Sequence, residues 1–266
     1  MKTTLVVHTN YKNQEDTLSA FIKNFETEGE DFGNQDRNAI KLFKLSAITV
    51  NIKSFKVPNI INQIAYKFLR KSKAQRSFEY ANMLIKKGMG TPQPIAYYEF
   101  TTPLLFKNSY YISEHQMCDI TYRELTTDLN YPNHEVILRA FTRFTFKLHE
   151  LGIHFLDHSP GNTLIKQTEK DYEFYLVDLN RMEFRTLDFE TRIKNFARLT
   201  THKSMVEVMS DEYAKCANKS YDEVFNLMWQ FTVAFQEQYY RKIRLKKRVF
   251  FWKKKYRNSV SKSPIQ

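Results

Sequence analysis

The order of patterns along the chain predicts an α+β fold of two lobes, a β-rich first lobe followed by a helical second lobe. Three observations carry this reading. Leu45 to Phe55 (LSAITVNIKSF) is rich in β-branched residues with partial alternation. Between Asn133 and Leu151, the residues Ile137, Ala140, Phe144, Leu148 and Leu151 recur at spacings of three and four, one face of a long helix. The 266 residues, 42% hydrophobic and 15% aromatic, suffice for two lobes of core and are too apolar for disorder. We place the first lobe at 1–114, the second at 115–240 and a basic terminal segment at 241–266.

The elements follow in order. Asn24 to Arg37 holds two glycines among polar residues, a turn signal, so a strand, turn and strand lead into the Leu45 strand. A helix is expected from Lys73 to Lys87, with Ala74, Phe78, Ala81 and Ile85 on one face and Gly88 as its stop. Thr91-Pro92-Gln93-Pro94 breaks it, and Ile95–Phe100 and Ser109–Ser113 read as strands. Gly152 ends the Asn133–Leu151 helix. Two short strands, Thr163–Ile165 and Phe174–Val177, are separated by a polar turn. Helices resume near Asp188, and Val224, Met228, Phe231 and Phe235 read as lobe core.

Composition removes several function classes. Glycine occurs 6 times, Gly88 and Gly90 form the sole G-x-G pair, and no Gly-Lys-Ser or Gly-Lys-Thr occurs. A dinucleotide fingerprint and a P-loop are thereby excluded. Cys118 and Cys216 make no disulfide framework and read as reduced thiols of a cytosolic protein. The Leu5-Val6-Val7 run is too short for a secretory core, and no stretch approaches the ~18 apolar residues of a membrane span. The net charge of +12 is concentrated: Arg241 to Arg257 holds ten Lys or Arg and no acid, and the rest is near balance. That near-neutral body disfavours a nucleic-acid partner. The basic segment interleaves Leu245, Val249, Phe250, Phe251 and Trp252, which points to an anionic membrane surface, with a solvated terminal helix as the plain alternative.

The chemistry lies between His149 and Asp178. Asp157 and Asn162 are five apart on the loop after the strongest helix. Asp178 ends the second short strand, so the hairpin returns it beside Asn162. Three oxygen-bearing side chains then converge. Asn and Asp oxygens suit Mg²⁺, and Asp157 remains to accept a proton from a hydroxyl. A zinc site from His149, His154, His158 and Asp157 is the rival. Its spacings are not H-E-x-x-H, and His149 is expected on the solvated side of its helix with Lys147 and Glu150. The D-x-x-x-x-N spacing with a strand-ending Asp is the arrangement of eukaryotic-type kinases. Upstream, Val50-Asn51-Ile52-Lys53 resembles their lysine strand, and Glu79 follows on the predicted helix. A Lys53–Glu79 ion pair is expected, holding Lys53 against the phosphates of ATP. The two-lobed fold is therefore expected to be protein-kinase-like.

Departures narrow the acceptor. Phe155 and Ser159 stand where protein kinases carry His and Lys, and Pro160-Gly161-Asn162 resembles the aminoglycoside and choline kinases. Leu179-Asn180-Arg181 follows Asp178, and a helix near Asp188 leaves no room for a peptide-holding activation segment. The acceptor is then a small or sugar hydroxyl. From about Lys53 to Phe184 the sequence resembles the lipopolysaccharide kinase (Kdo/WaaP) family. The resemblance rests on the Lys53 strand, Arg76-Ser77-Phe78-Glu79, Thr91-Pro92-Gln93-Pro94, Glu114 at the hinge, Asp157 to Asn162 and Asp178-Leu179-Asn180-Arg181. It implies ATP-dependent phosphorylation of a sugar of the lipopolysaccharide inner core, on a lipid-linked acceptor at the cytoplasmic face of the inner membrane. Asp157 would be the base, Asn162 and Asp178 would hold Mg²⁺, and Lys53 would orient the phosphates. Gly29, Gly33 and Asn34 are candidates for the loop covering the nucleotide. The alternatives are a compact RIO-like protein kinase and a non-catalytic kinase-like protein that binds membrane or nucleic acid.

Overall fold

A computed structural model describes residues 1–33, 38–169 and 171–260, with the backbone alone from residue 248 onward. The chain divides into two units, Met1–Tyr131 with Lys147–Leu187, and Pro132–Phe146 with Asp188–Gln266.

The first unit opens with β1 (Lys2–Val7), a 3₁₀ turn (Thr9–Gln14) and α1 (Glu15–Lys23). It continues with β2 (Glu30–Asp31), β3 (Asn38–Leu45), β4 (Ile48–Phe55), α2 (Ile60–Phe68) and α3 (Lys73–Lys86). Then come β5 (Pro94–Thr101) and β6 (Phe106–Glu114). Six strands form one antiparallel sheet in the order β1-β5-β6-β4-β3-β2. Alternation along the strands separates two apolar clusters. Val50, Ile52, Ala96 and Tyr98 pack with Leu18 and Ile22 of α1, while Phe55 and Tyr97 pack with Ala74 and Phe78 of α3. The stretch read as one strand from Leu45 is the end of β3, a two-residue turn and β4. Leu45 pairs with Ile48, and Ser46 takes φ 54°. Leu18, Ile22 and Phe25 form a helical stripe in a region read as strand and turn.

The helix expected from Lys73 is α3. Ser72 caps it, its hydroxyl accepting from the Gln75 amide at 3.0 Å, and Ala74, Ser77, Phe78, Ala81 and Leu84 are buried. Ile85, expected on that face, is exposed, and Leu84 takes the inward place.

The unit is completed by β7 (Ile120–Thr121), α4 (Tyr122–Thr127), the end of α5 (His134–Glu150), β8 (Ile153–Phe155), β9 (Thr163–Gln167), β10 (Tyr172–Leu176) and β11 (Met182–Phe184). These strands make a β10-β9-β7 sheet and a β11-β8 pair. Gly152 ends α5 at φ 68°, and a Cβ there would lie 2.8 Å from the Arg185 carbonyl oxygen, so this stop admits only glycine without strain.

The second unit holds α5 through Phe146, α6 (Phe189–Lys194), α7 (Lys203–Ala217) and α8 (Tyr221–Val260). Asp188 caps α6, accepting from the Thr191 amide at 2.7 Å. Met205, Val206, Met209, Tyr213, Val224 and Met228 are buried, and Phe146 and Phe196 meet the Tyr213 ring edge-on. The backbone of 241–260 continues α8, and Arg241, Lys242, Arg244 and Leu245 are described with it. The side chains of Val249, Phe250, Phe251 and Trp252 lie outside the described residues. Among the described residues, no helix is long and apolar enough to cross a membrane.

Candidate active site

The loop Leu156–Asn162 is held at both ends by strands. β8 leads into it, paired with β11, and the Leu156 amide donates to the Arg181 carbonyl at 3.2 Å. At its other end β9 and β10 form the expected hairpin, with Thr163 opposite Leu176. One step beyond that register, the Val177 amide donates to the Asn162 carbonyl at 3.0 Å. Asp178 is thereby returned beside Asn162, as the spacing predicts. Inside the loop, Asn162 Nδ2 donates to the Asp157 carbonyl oxygen at 2.8 Å, and the Asn162 amide donates to Ser159 O at 2.9 Å. Phe155 is fully buried with its ring 5.8 Å from that of His158, which anchors the start of the loop in apolar packing. The loop before β5 also meets this hairpin: the Leu176 amide donates to Gly90 O, and a Cβ on Gly90 would lie 2.0 Å from Phe174 O. Any side chain there would push β10 away.

Lys53 lies on β4, opposite Ile40 of β3 and Tyr111 of β6, near the centre of the six-stranded sheet. Its Nζ donates to Asp178 Oδ1 at 2.7 Å and lies 5.4 Å from the centre of the Phe55 ring. Asp178 has φ 59°, a left-handed conformation that costs a non-glycine residue about 1 kcal/mol or more. Asn180 Nδ2 also donates to Oδ1, at 2.7 Å.

The expected Lys53–Glu79 pair does not form. Glu79 accepts instead from Lys71 Nζ at 2.7 Å and from Gln75 Nε2 at 3.0 Å. The reason is local: Gln75 sits one turn back on α3, and Lys71 sits just outside the start of the helix. Both reach the carboxylate without crossing to the sheet.

Arg181 holds the candidate base. Its Nη1 donates to Asp157 Oδ1 at 2.9 Å, so a residue quoted in the sequence motif without a role orients the loop carboxylate. Arg123 of α4 reaches the same turn, since a Cβ on Gly161 would lie 2.6 Å from its Nη2. Asp157, Asp178, Asn180 and Arg181 open into a cavity of about 630 Å³, walled on another side by Phe55, Asn59 and Tyr66.

Glu114 ends β6, where its amide donates to Gln93 O at 2.9 Å. Its carboxylate accepts from the Tyr11 hydroxyl, a contact from the N-terminal segment that no sequence motif announced. Burial and that carboxylate both push the Tyr11 phenol up. Gly33 follows β2 at φ 71°, with no atom of the described residues within 4 Å of where its Cβ would lie, at the edge of the sheet that carries Lys53. Gly29 is a packing glycine, because a Cβ there would meet the Phe43 ring at 2.6 Å. Asn34 lies outside the described residues.

The donor set suits a hard cation. Asp178 uses only Oδ1 in its two hydrogen bonds, and Asn162 spends Nδ2 on the backbone, which leaves Oδ1 as its acceptor. A carboxylate and an amide oxygen match the few protein ligands that Mg²⁺ takes alongside phosphate. The zinc alternative does not assemble: among the described residues no group of three or more His, Cys, Asp or Glu is arranged for a metal ion. His149 is also not on a solvated face. It is 1% exposed, on the same side as Thr142 and Thr145, a buried polar seam that an apolar stripe does not reveal. His154 Nδ1 lies 3.3 Å from Glu183 Oε2 across the β8–β11 pair.

The model of the lipopolysaccharide kinase (Kdo/WaaP) family matches residues 56–221, more than half of the chain and all of the Asp157–Asp178 loop and hairpin. The chain belongs to this family. Lys53 lies three residues before the match, and Gly33 lies well before it. No curated protein matches the chain in sequence. Among solved structures, "WaaP in complex with acyl carrier protein" superposes with a TM-score of 0.62 at 14% identity, covering 90% of this chain and 98% of that one. At that identity the likeness shows the fold, which is protein-kinase-like, as the sequence predicts. In all, 1104 chains of solved structures match, so the fold alone does not select an activity and the site has to. Membership in this kinase family makes the chain a phosphotransferase.

Proposed function

We propose that this chain is an ATP-dependent kinase that phosphorylates a hydroxyl of a lipopolysaccharide inner-core sugar, Kdo or heptose. The observation that carries the reading is the convergence of Asp157, Asn162 and Asp178 at one loop and hairpin within the span of the family match, with Lys53 of β4, three residues before that span, bonded to Asp178. Family membership supports the substrate class, and the missing peptide platform after Asp178 supports a sugar rather than a protein acceptor.

Each residue then has a task. Asp157, oriented by Arg181 through Oδ1, accepts the proton of the attacking sugar hydroxyl. Lys53 supplies fixed positive charge for the phosphate oxygens, and its present bond to Asp178 holds it beside the carboxylate that would bind the metal. Asn162 Oδ1 and the Asp178 carboxylate are the oxygens that would hold Mg²⁺, whose chemistry is to neutralise charge on the transferred phosphoryl group. Gly33 and the hinge around Glu114 border the nucleotide in this reading. The acceptor is lipid-linked, so the chain works as a peripheral protein on the cytoplasmic face of the inner membrane, with 241–257 on its anionic surface. The neighbouring WaaP structure contains acyl carrier protein, which makes that protein a partner to test for this chain.

The test is transfer of label from γ-labelled ATP to purified inner-core lipopolysaccharide, with the product located by mass spectrometry. Asp157→Asn is expected to keep nucleotide affinity and lower turnover by about 10²–10⁴. Omission of Mg²⁺ is expected to abolish transfer. Unchanged turnover in Asp157→Asn removes it as base, and nucleotide binding without any transfer favours the non-catalytic reading.

A further inference from the structure

We propose that the outward face of α2 is a docking surface for an anionic lipid bilayer, set so that the Asp157 cavity opens at headgroup level. The proposal rests on the lipid-linked acceptor of the preceding reading and deepens it by naming the surface that brings the acceptor to the site.

α2 is amphipathic, and its apolar stripe is the exposed one. None of its residues is buried. At the flank of the stripe Lys67 Nζ donates to Thr101 Oγ1 at 3.2 Å, and Gln63 Nε2 donates to Pro58 O at 2.9 Å, just before the helix. The Tyr66 ring sits 5.6 Å from that of Phe106, and Asn59 caps the helix by accepting from the Asn62 amide at 3.0 Å. The apolar side faces outward. Ile60 is 61% exposed, Ile61 76%, Ile64 46%, Phe68 59%, and Leu69 just past the end 81%. The first four fall within an arc of about 100° on a 3.6-residue helix. An apolar stripe held in water gains nothing on folding, so a contiguous one marks a surface that is covered in use.

Charge identifies what covers it. The sequence contains no Asp or Glu between Asp36 and Glu79. Lys56, Arg70 and Lys71 are exposed around α2, with Arg70 lying 4.6 Å over the Tyr66 ring and Lys71 shared with Glu79. An apolar ridge ringed by cations complements anionic headgroups over acyl chains, and such a helix settles about 5–10 Å into that boundary. The inner side of the same segment closes the argument: Asn59, Asn62 and Tyr66 wall the cavity that contains Asp157, Asp178 and Arg181. One helix thus faces lipid with one side and the reacting groups with the other. This surface is separate in sequence from 241–257.

The test is flotation of the full chain with phosphatidylcholine vesicles, with and without phosphatidylglycerol, at several salt concentrations. Ile61→Ser/Ile64→Ser/Phe68→Ser is compared with Ile61→Leu/Ile64→Leu/Phe68→Leu, in the native chain and in one with Arg241, Lys242, Arg244, Lys246 and Lys247 changed to Gln. Circular dichroism checks that each variant is folded. The serine variant is expected to lose tenfold or more in partitioning to the anionic vesicles in both backgrounds, and the leucine variant to retain it. Unchanged partitioning of the serine variant overturns the proposal, as does equal partitioning of the native chain to neutral vesicles. Loss of acyl carrier protein binding in the serine variant with vesicle binding intact also overturns it, in favour of a protein partner. Phosphate transfer to detergent-dispersed acceptor is read separately: its absence in the native chain rejects the kinase reading and leaves docking standing.

Discussion

α2 and α3 follow one another within the first unit and are built in opposite senses. α3 buries Ala74, Phe78, Ala81 and Leu84, the first two of these against the sheet, whereas α2 meets the sheet through Tyr66 and Lys67 and leaves Ile60, Ile61, Ile64 and Phe68 exposed. Both patterns have the helical period. Periodicity therefore says that a helix has two faces, and only the neighbouring sheet says which face is in. Their contribution to stability should differ accordingly: α3 is part of the core, and α2 is an attachment to it.

The largest test of that contrast is a pair of truncations. Phe78→Ala is expected to destabilise the protein by about 3–5 kcal/mol, since it removes a ring packed against Tyr97 and leaves a cavity. Ile64→Ser should change stability by no more than about 0.5 kcal/mol. Urea unfolding of both variants measures the difference, and equal losses would place α2 in the core.

A smaller effect is expected at the junction of the two helices. Ser72→Ala should cost about 1 kcal/mol by removing the cap of α3. Beside it, Glu99 of β5 is hydrogen-bonded by Ser72 and lies near Lys67. Burial, and secondarily the charge of Glu79, hold its carboxyl above the usual carboxylate value of 4.5, against the opposing pull of Ser72 and Lys67. The folded chain therefore binds this proton more tightly than the unfolded chain, and stability falls as pH rises from about 4.5 through the folded value. Glu99→Gln should raise the midpoint at neutral pH and flatten that part of the pH profile. A native profile rising with pH through the window would reverse the assignment.

The smallest effect concerns Glu79. Its carboxylate is bound to Lys71 and Gln75, so Glu79→Gln should change nucleotide affinity several-fold less than Lys53→Ala, by calorimetry with Mg-ATP. A Glu79→Gln loss as large as that of Lys53→Ala would show that a Lys53–Glu79 pair forms when nucleotide binds.

Much of this protein was determined by its sequence. The α3 and α5 stripes, the glycine stops at Gly88 and Gly152, and the β9–β10 hairpin that returns Asp178 to Asn162 are local. They depend on residues a few positions apart and on φ angles that one residue type allows. α1 and α2 escaped because each is nine residues long, too short for its period to stand out from a strand-rich context. The partners at the site were decided only by the tertiary structure. Lys53 meets Asp178, Asp157 meets Arg181 and Glu114 meets Tyr11, pairs separated by 125, 24 and 103 positions. A long-range ion pair is chosen by which opposite charge lies nearest once the strands are in register, and sequence spacing does not encode that distance. The outward turn of α2 has the same cause. Lys67 and Tyr66 found Thr101 and Phe106 on the sheet, and the apolar stripe was left to face whatever the protein meets.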